Sequence, residues 1–470
     1  MVQPFRPLHL LSLLALACLL PSGCGPSVAE PPPPEVSGET IAKVAQAEQQ
    51  FALHLYARMT EETEGENLFF SPHSVYSVLS MVAEGADGET AEQMAKVLGL
   101  EKEEGASQFL STHQGLAGLA YGLKGRGNSK DQHTLLTANA LWLDKSFPIA
   151  PSYSQALDPY LNGGGGIFPC DFANRYTVEA NRIDQWCADN TKGRITSIMP
   201  KKSPQEASLL KLVLTNAVFF EGKWVKPFEP KDTEKRDFTL ADGSEVKVDT
   251  MLTRNFSEGR YGAVDAEGKW FTTPTTYDPT RPTDEQNLYP EGKGFTMAEL
   301  PYKGGRLSML LVAPRAADGL PHVEKLLTPE RLAEWVGKLE SRSMSWVKMP
   351  KLNLATTYNM TQMLADLGME LAFTPPSGNE GADFSRMTAS SDPNAQLYLS
   401  MVLHKATLEV DEQGTVAAAV TAGLMETASA AVQQTRPFHP AFEADRPFLL
   451  LIRDNQSGDI LFMGRVNDPR

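Results

Sequence analysis

Apolar residues recur at helical spacing through residues 39–60, where Ile41, Val44, Phe51, Leu55 and Met59 fall on one face. Leu68-Phe69-Phe70 reads as a short strand that runs into Ser71-Pro72. An apolar helix follows over 74–83. Gly88-Glu89-Thr90 then leads into an amphipathic helix over 90–98, with Thr90 and Gln93 at capping-box spacing. Residues 134–143 (TLLTANALWL) predict a buried strand, and 176–189 a helix ending near Gly193. Further on, the segments 211–220, 236–240, 245–250, 296–300, 307–313, 345–354, 402–411 and 448–453 are β-branched or alternating and are divided by Gly and Pro turns. Helical patterns return at 329–339 and 359–369. A helix-rich first half and a strand-rich second half predict an α+β fold with large, mostly antiparallel sheets, not an alternating βαβ plan. Residues 271–295, polar and rich in Pro and Thr, read as a surface excursion between two strands.

One stretch breaks the pattern. Residues 412–435, EQGTVAAAVTAGLMETASAAVQQT, hold seven alanines and, beyond Thr415, a single charged residue, Glu426, in a chain that is 21% charged. As a helix, residues 415–422 (TVAAAVTA) carry good formers but also two valines and two threonines with Gly423 directly behind. As a strand, its side chains are small on both faces, and Gly414 gives a pivot. Asp411-Glu412-Gln413 would leave the preceding strand in solvent. The segments 446–452 and 459–465 read as core strands joined by a turn over 455–458, so the chain rejoins the body at once. The bland stretch is thus an excursion from one domain, suited either to cheap cutting as a loop or to entry into a sheet.

Charge and cysteine usage narrow the class. A net charge of −15 argues against nucleic-acid binding, which needs concentrated basic residues. Met1, Arg6 and an apolar run from Leu8 to Leu20 have the layout of an export signal, too short to span a bilayer. Pro21-Ser22-Gly23-Cys24 resembles the cleavage box of a bacterial lipoprotein, although Pro21 stands where that box has an aliphatic residue. Residues 1–24 therefore read as a signal peptide and Cys24 as a lipidated new N-terminus, giving an envelope-tethered protein or, without lipidation, a secreted one. Residues 25–40, with Pro31 to Pro34, read as an extended tether, and 41–470 as a single domain. Cys170 and Cys187 remain inside the fold, where a disulfide and two free thiols are equally compatible with the sequence.

Candidate chemistry is sparse. The chain has no G-x-S-x-G elbow, no H-E-x-x-H and no C-x-x-C. The glycines in GLKGRG (122–127) do not fit a phosphate loop. The eight histidines are scattered without ligand spacing, so no metal or cofactor is expected. Ser71-Pro72-His73-Ser74 brings hydroxyls and an imidazole together, but a nucleophile beside its base in sequence is geometrically poor, and a structural role is the better reading. His404, in the apolar run MVLHKA, reads as a core residue or as a buried hydrogen bond whose breaking frees a strand.

From about residue 42 onward the chain resembles the serpins. NLFFSPHSVYSVLSMVAEGADGET (67–90), LTNAVFFEGKWVKPFEP (214–230), MAELPYKGGRLSMLLVAP (297–314), VLHKATLEVDEQGTVAAA (402–419) and FEADRPFLLLIRDNQSGDILFMGRVNDP (442–469) carry the likeness. The resemblance implies the serpin fold, with a large central sheet and a reactive loop, here 412–441. It implies a shutter formed by Ser71, Ser74, Asn216 and His404, and a breach tryptophan at Trp224. It also implies a hinge over Glu412, Gly414, Thr415, Val416, Ala417, Ala418, Ala419 and Val420, small enough for an inhibitory member.

Family spacing, fourteen residues after Gly414, puts the reactive bond between Ala428 and Ser429, with Leu424 and Met425 as alternatives. Several extra residues before Pro447 leave that register open. The implied activity is not enzymatic. A monomer would trap a serine protease of elastase-, subtilisin- or chymotrypsin-like specificity in a covalent complex. The competing readings are a serpin-fold protein that binds without inhibiting and, more remotely, an exported hydrolase.

Overall fold

The computed structural model describes residues 35–63, 65–123, 133–157, 165–277, 293–378, 380–389, 397–415 and 437–470. The first helix, Gly38–Glu62, is capped by Ser37, whose side chain accepts from Thr40 N, and it buries Val44, Phe51, Leu55 and Met59. Helix Pro72–Glu84 buries every residue but Ser77. A helix buried on nearly all sides belongs inside a protein. Here it runs behind the sheets, with Ser71 as N-cap and Pro72 in the first turn, where a missing N–H costs nothing.

Among the described residues three sheets form. The central one has six strands in the order Leu352–Asn359, Leu399–Asp411, Gly414–Thr415, Leu212–Lys223, His133–Asp144, Gly166–Cys170. It is mostly antiparallel, as expected. Leu399–Asp411 and Leu212–Lys223 also pair directly, and in parallel, from Leu399↔Leu212 to Thr407↔Phe219. An eight-stranded sheet contains the C-terminal hairpin Phe448–Asp454 and Ile460–Val466, and a four-stranded sheet is built on Glu245–Phe256. No helix among the described residues is long and apolar enough to cross a membrane.

The structure departs from the sequence expectations at several places. Segment 345–354 is two strands, because Met344–Pro350 pairs with Glu245–Phe256 while Leu352–Asn359 pairs with Leu399–Asp411. The chain changes sheets at Lys351. Thr90 and Gln93 form no capping box. Asp87 caps that helix, while the Thr90 hydroxyl accepts from Asp383 N and Gln93 Oε1 from Leu371 N, so tertiary partners have taken both side chains. The 359–369 helix is broken, with Gly368 at φ 117° inside a π turn. Helix Leu110–Leu123 and strand Arg260–Val264 carry no pattern strong enough to predict. Cys170 and Cys187 are buried, unpaired thiols in one apolar cluster, and burial pushes both up to about 12.

Candidate functional site

Three adjacent strands carry one polar residue each at the same level. Asn216 is in register with Asn139 on one side and His404 on the other. Asn216 and His404 are 0% exposed, and such groups are tolerated only when every donor and acceptor is met. They are met. His404 Nδ1–H donates to Asn216 Oδ1 at 2.5 Å, and His404 Nε2 accepts from Ser71 N at 3.1 Å, which fixes the tautomer. Asn216 Nδ2 donates to Ser74 Oγ and to Asn139 Oδ1, both at 2.5 Å. Ser74 Oγ donates to Asn139 Oδ1, and Ser71 Oγ to Leu461 O at 2.7 Å. Burial pulls the imidazole down to about 3, so it is neutral, as a ring with one donor and one acceptor bond must be.

The four residues implied as a shutter are thus brought together, and Asn139 joins them. The signal for it is an Asn inside the apolar run TLLTANALWL, and in the fold it is half-buried. The network ties the Leu399–Asp411 strand to Leu212–Lys223 and, through Ser71 and Ser74, to the buried helix behind.

Six residues along the Leu399–Asp411 strand from His404, the sheet forks. Gly414–Thr415 enters between Leu399–Asp411 and Leu212–Lys223, antiparallel to both, with Thr415 opposite Val410 and Gly222. The turn into it is held by Asp411 Oδ1, which accepts from Gln413 N and Gly414 N. Gly414 has φ 149°, and a Cβ there would lie 2.1 Å from Gly222 O, so the backbone approach requires glycine. Thr415, 0% exposed, shares a 2.9 Å hydrogen bond with the Tyr302 hydroxyl.

Trp224 sits at this mouth. Its indole stacks on Tyr302 at 4.6 Å, its Nε1–H donates to Asp411 O, and its backbone N–H donates to Gln413 O. Glu412 is not in solvent, as the sequence suggested, but 8% exposed, with its carboxylate accepting from Lys351 Nζ and Thr233 Oγ1. Burial raises that carboxyl, but the Lys351 and Thr233 hydrogen bonds outweigh it and hold the group below the usual range. Lys351 is available because the chain changes sheets there. Tyr302, Thr233 and Lys351 gave no sign in the sequence of meeting Glu412 and Thr415.

Cys24, Val416, Ala417, Ala418, Ala419, Val420, Leu424, Met425, Ala428 and Ser429 lie outside the described residues, as does most of the 271–295 excursion.

The family model described as serpin (serine protease inhibitor) matches residues 46–469. Serpin B6 of Macaca fascicularis is 32% identical over 428 residues, covering 91% of this chain and 99% of that protein. Antithrombin-III of Homo sapiens is 30% identical over 441 residues, 93% of this chain and 84% of that one. The solved structure of human thyroxine-binding globulin aligns with a TM-score of 0.71 at 26% identity, over 92% of this chain and 99% of that one. The sheets agree with that likeness, and the chain belongs to the serpin family.

Proposed function

We propose that this chain is an exported, irreversible suicide-substrate inhibitor of serine proteases, acting as a monomer and not as a catalyst. The observation that carries the reading is the fork: Gly414 and Thr415 already stand between two strands that pair with each other just below. Reactive-loop insertion in serpins is a standard instance of strand addition and of a conformational switch. Continuing the observed register places Thr421 opposite both His404 and Asn216. By the period of two, Ala417, Ala419 and Thr421 share the inward face of Thr415. Small side chains there, and a hydroxyl at the level of His404 and Asn216, suit a strand that must slide in.

The target's serine Oγ attacks the Ala428 carbonyl, the bond to Ser429 breaks, and the new amine of Ser429 leaves with the proton. An acyl ester then joins protease to inhibitor. Insertion of the freed hinge carries the ester away before water resolves it. A small residue at 428 suits elastase- or subtilisin-like pockets, and Met425 or Leu424 a chymotrypsin-like one. Mouse leukocyte elastase inhibitor A, 29% identical over 435 residues, is consistent with the first class. The export reading rests on residues 1–24, with Cys24 as the lipid-bearing end.

Incubation with pancreatic elastase, subtilisin and chymotrypsin should give an SDS-stable complex with at least one, at near-equimolar ratio, and a released peptide beginning at Ser429. Clean loop cleavage by all three, without any complex, would instead favour a binding protein, the kind of role for which thyroxine-binding globulin is named.

A further inference from the structure

Behind the central sheet, Glu48 of the first helix, His73 of the buried helix and Asp459 of the C-terminal hairpin turn meet, with candidate ligand atoms all within 4.8 Å of one another. They are 1%, 7% and 1% exposed. His73 Nδ1 lies 2.9 Å from Asp459 Oδ2 and 3.2 Å from Glu48 Oε1. A single ring N–H faces four buried carboxylate oxygens and makes its hydrogen bond to Glu48 Oε2. Glu48 Oε1 and both Asp459 oxygens have no hydrogen-bond donor. Three residues on from His73, and so on the same helix face, the Tyr76 hydroxyl is also buried without a partner, within the field of both carboxylates.

The contrast is Glu84 of the same helix, whose carboxylate accepts from Ser107 Oγ, Gln108 N and Phe109 N and pairs with His113. Buried carboxylates left without donors cost far more than satisfied ones. Either protons, with burial and the Asp459 charge raising the Glu48 carboxyl to about 8, or a bound cation must offset the charge among Glu48, His73 and Asp459.

We propose that these three residues bind one divalent first-row cation, with zinc the best fit. One imidazole and two carboxylates form an N/O set in which His73 Nδ1 stands 2.9 and 3.2 Å from the two carboxylates, within the span of two metal bonds of about 2.1 Å, leaving a fourth position for water. An imidazole ligand disfavours calcium and magnesium.

The site brackets the shutter in sequence and in space. His73 follows Ser71 by two residues, and Asp459 precedes Leu461, whose carbonyl accepts the Ser71 hydroxyl, by two. A bound cation would pin the buried helix to the hairpin at the level where the sheet must open.

The test uses the full, tag-free chain, stripped with chelator and titrated with zinc chloride by calorimetry, metal analysis and thermal melting. One zinc per chain is expected, with a melting temperature that climbs with the logarithm of zinc concentration. His73→Leu should abolish both effects. Should that variant fail to fold, the isosteric Glu48→Gln and Asp459→Asn carry the test and should each weaken binding by tenfold or more, on the order seen for lost metal-site partners. Absence of zinc binding, with Glu48→Gln more stable than wild type, would mean that a shared proton fills the site and would overturn the proposal. So would zinc binding of equal strength in wild type and all variants that fold.

Discussion

His404→Ala should melt far below the wild-type protein and should assemble or convert to a loop-inserted form on mild heating. Removing the imidazole leaves Ser71 N–H and Asn216 Oδ1 buried without partners, about 1–3 kcal/mol each, with the cavity adding to that. A total of roughly 3–6 kcal/mol is a large fraction of the 5–15 kcal/mol typical of a folded domain. Denaturant unfolding and native gels read it. A loss under about 1 kcal/mol would show that the network does not hold the sheet.

The same residue sets a pH dependence. In the fold its pKa is held near 3, whereas an unfolded histidine titrates at about 6.5. Its contribution is therefore complete above pH 6.5 and is lost as pH falls toward 3, since the unfolded chain takes up the proton first. Wild-type stability should drop across that window more steeply than that of His404→Ala. Carboxylates titrate in both proteins, and the comparison cancels them.

Cleavage within the reactive loop should raise the melting temperature by tens of degrees. Carrying the Thr415 register on to Met425 brings the inserted strand level with Leu212 and exchanges one parallel ladder for two antiparallel ones. The gain of backbone hydrogen bonds, at about 1 kcal/mol net each, comes to the order of 10 kcal/mol. Thr415→Arg supplies the control. Thr415 is 0% exposed beside Tyr302, and a guanidinium cannot be buried there unpaired. The variant should be cut by the same proteases, form little or no covalent complex and melt after cleavage where it melted before. Unchanged inhibitory stoichiometry in that variant would contradict insertion as the source of inhibition.

Much of this architecture was legible because it rests on local pattern. The periods of the first helix and of the Leu399–Asp411 strand, the turn over 455–458 and the small side chains after Gly414 each follow from residues close in sequence. His404 and Asn216 could be singled out because a polar side chain in an apolar strand demands a partner. What stayed hidden depends on residues distant in the chain. The break at Lys351 is a choice between two sheets, and it delivers the lysine that neutralises Glu412. Thr90 and Gln93 have the spacing of a cap, yet Asp383 and Leu371 supply better partners. His73 looked inert because Glu48 and Asp459 lie on other elements, and no spacing rule joins them.

The stack of Trp224 on Tyr302 has an optical consequence. Of six tryptophans, Trp224 is the one placed against the hinge, with its indole N–H on the Asp411 carbonyl and its ring on the phenol that binds Thr415. As the hinge moves, the polarity and quenching around that ring change. Native fluorescence therefore gives this protein a clock for its own transition, readable in milliseconds and without a label.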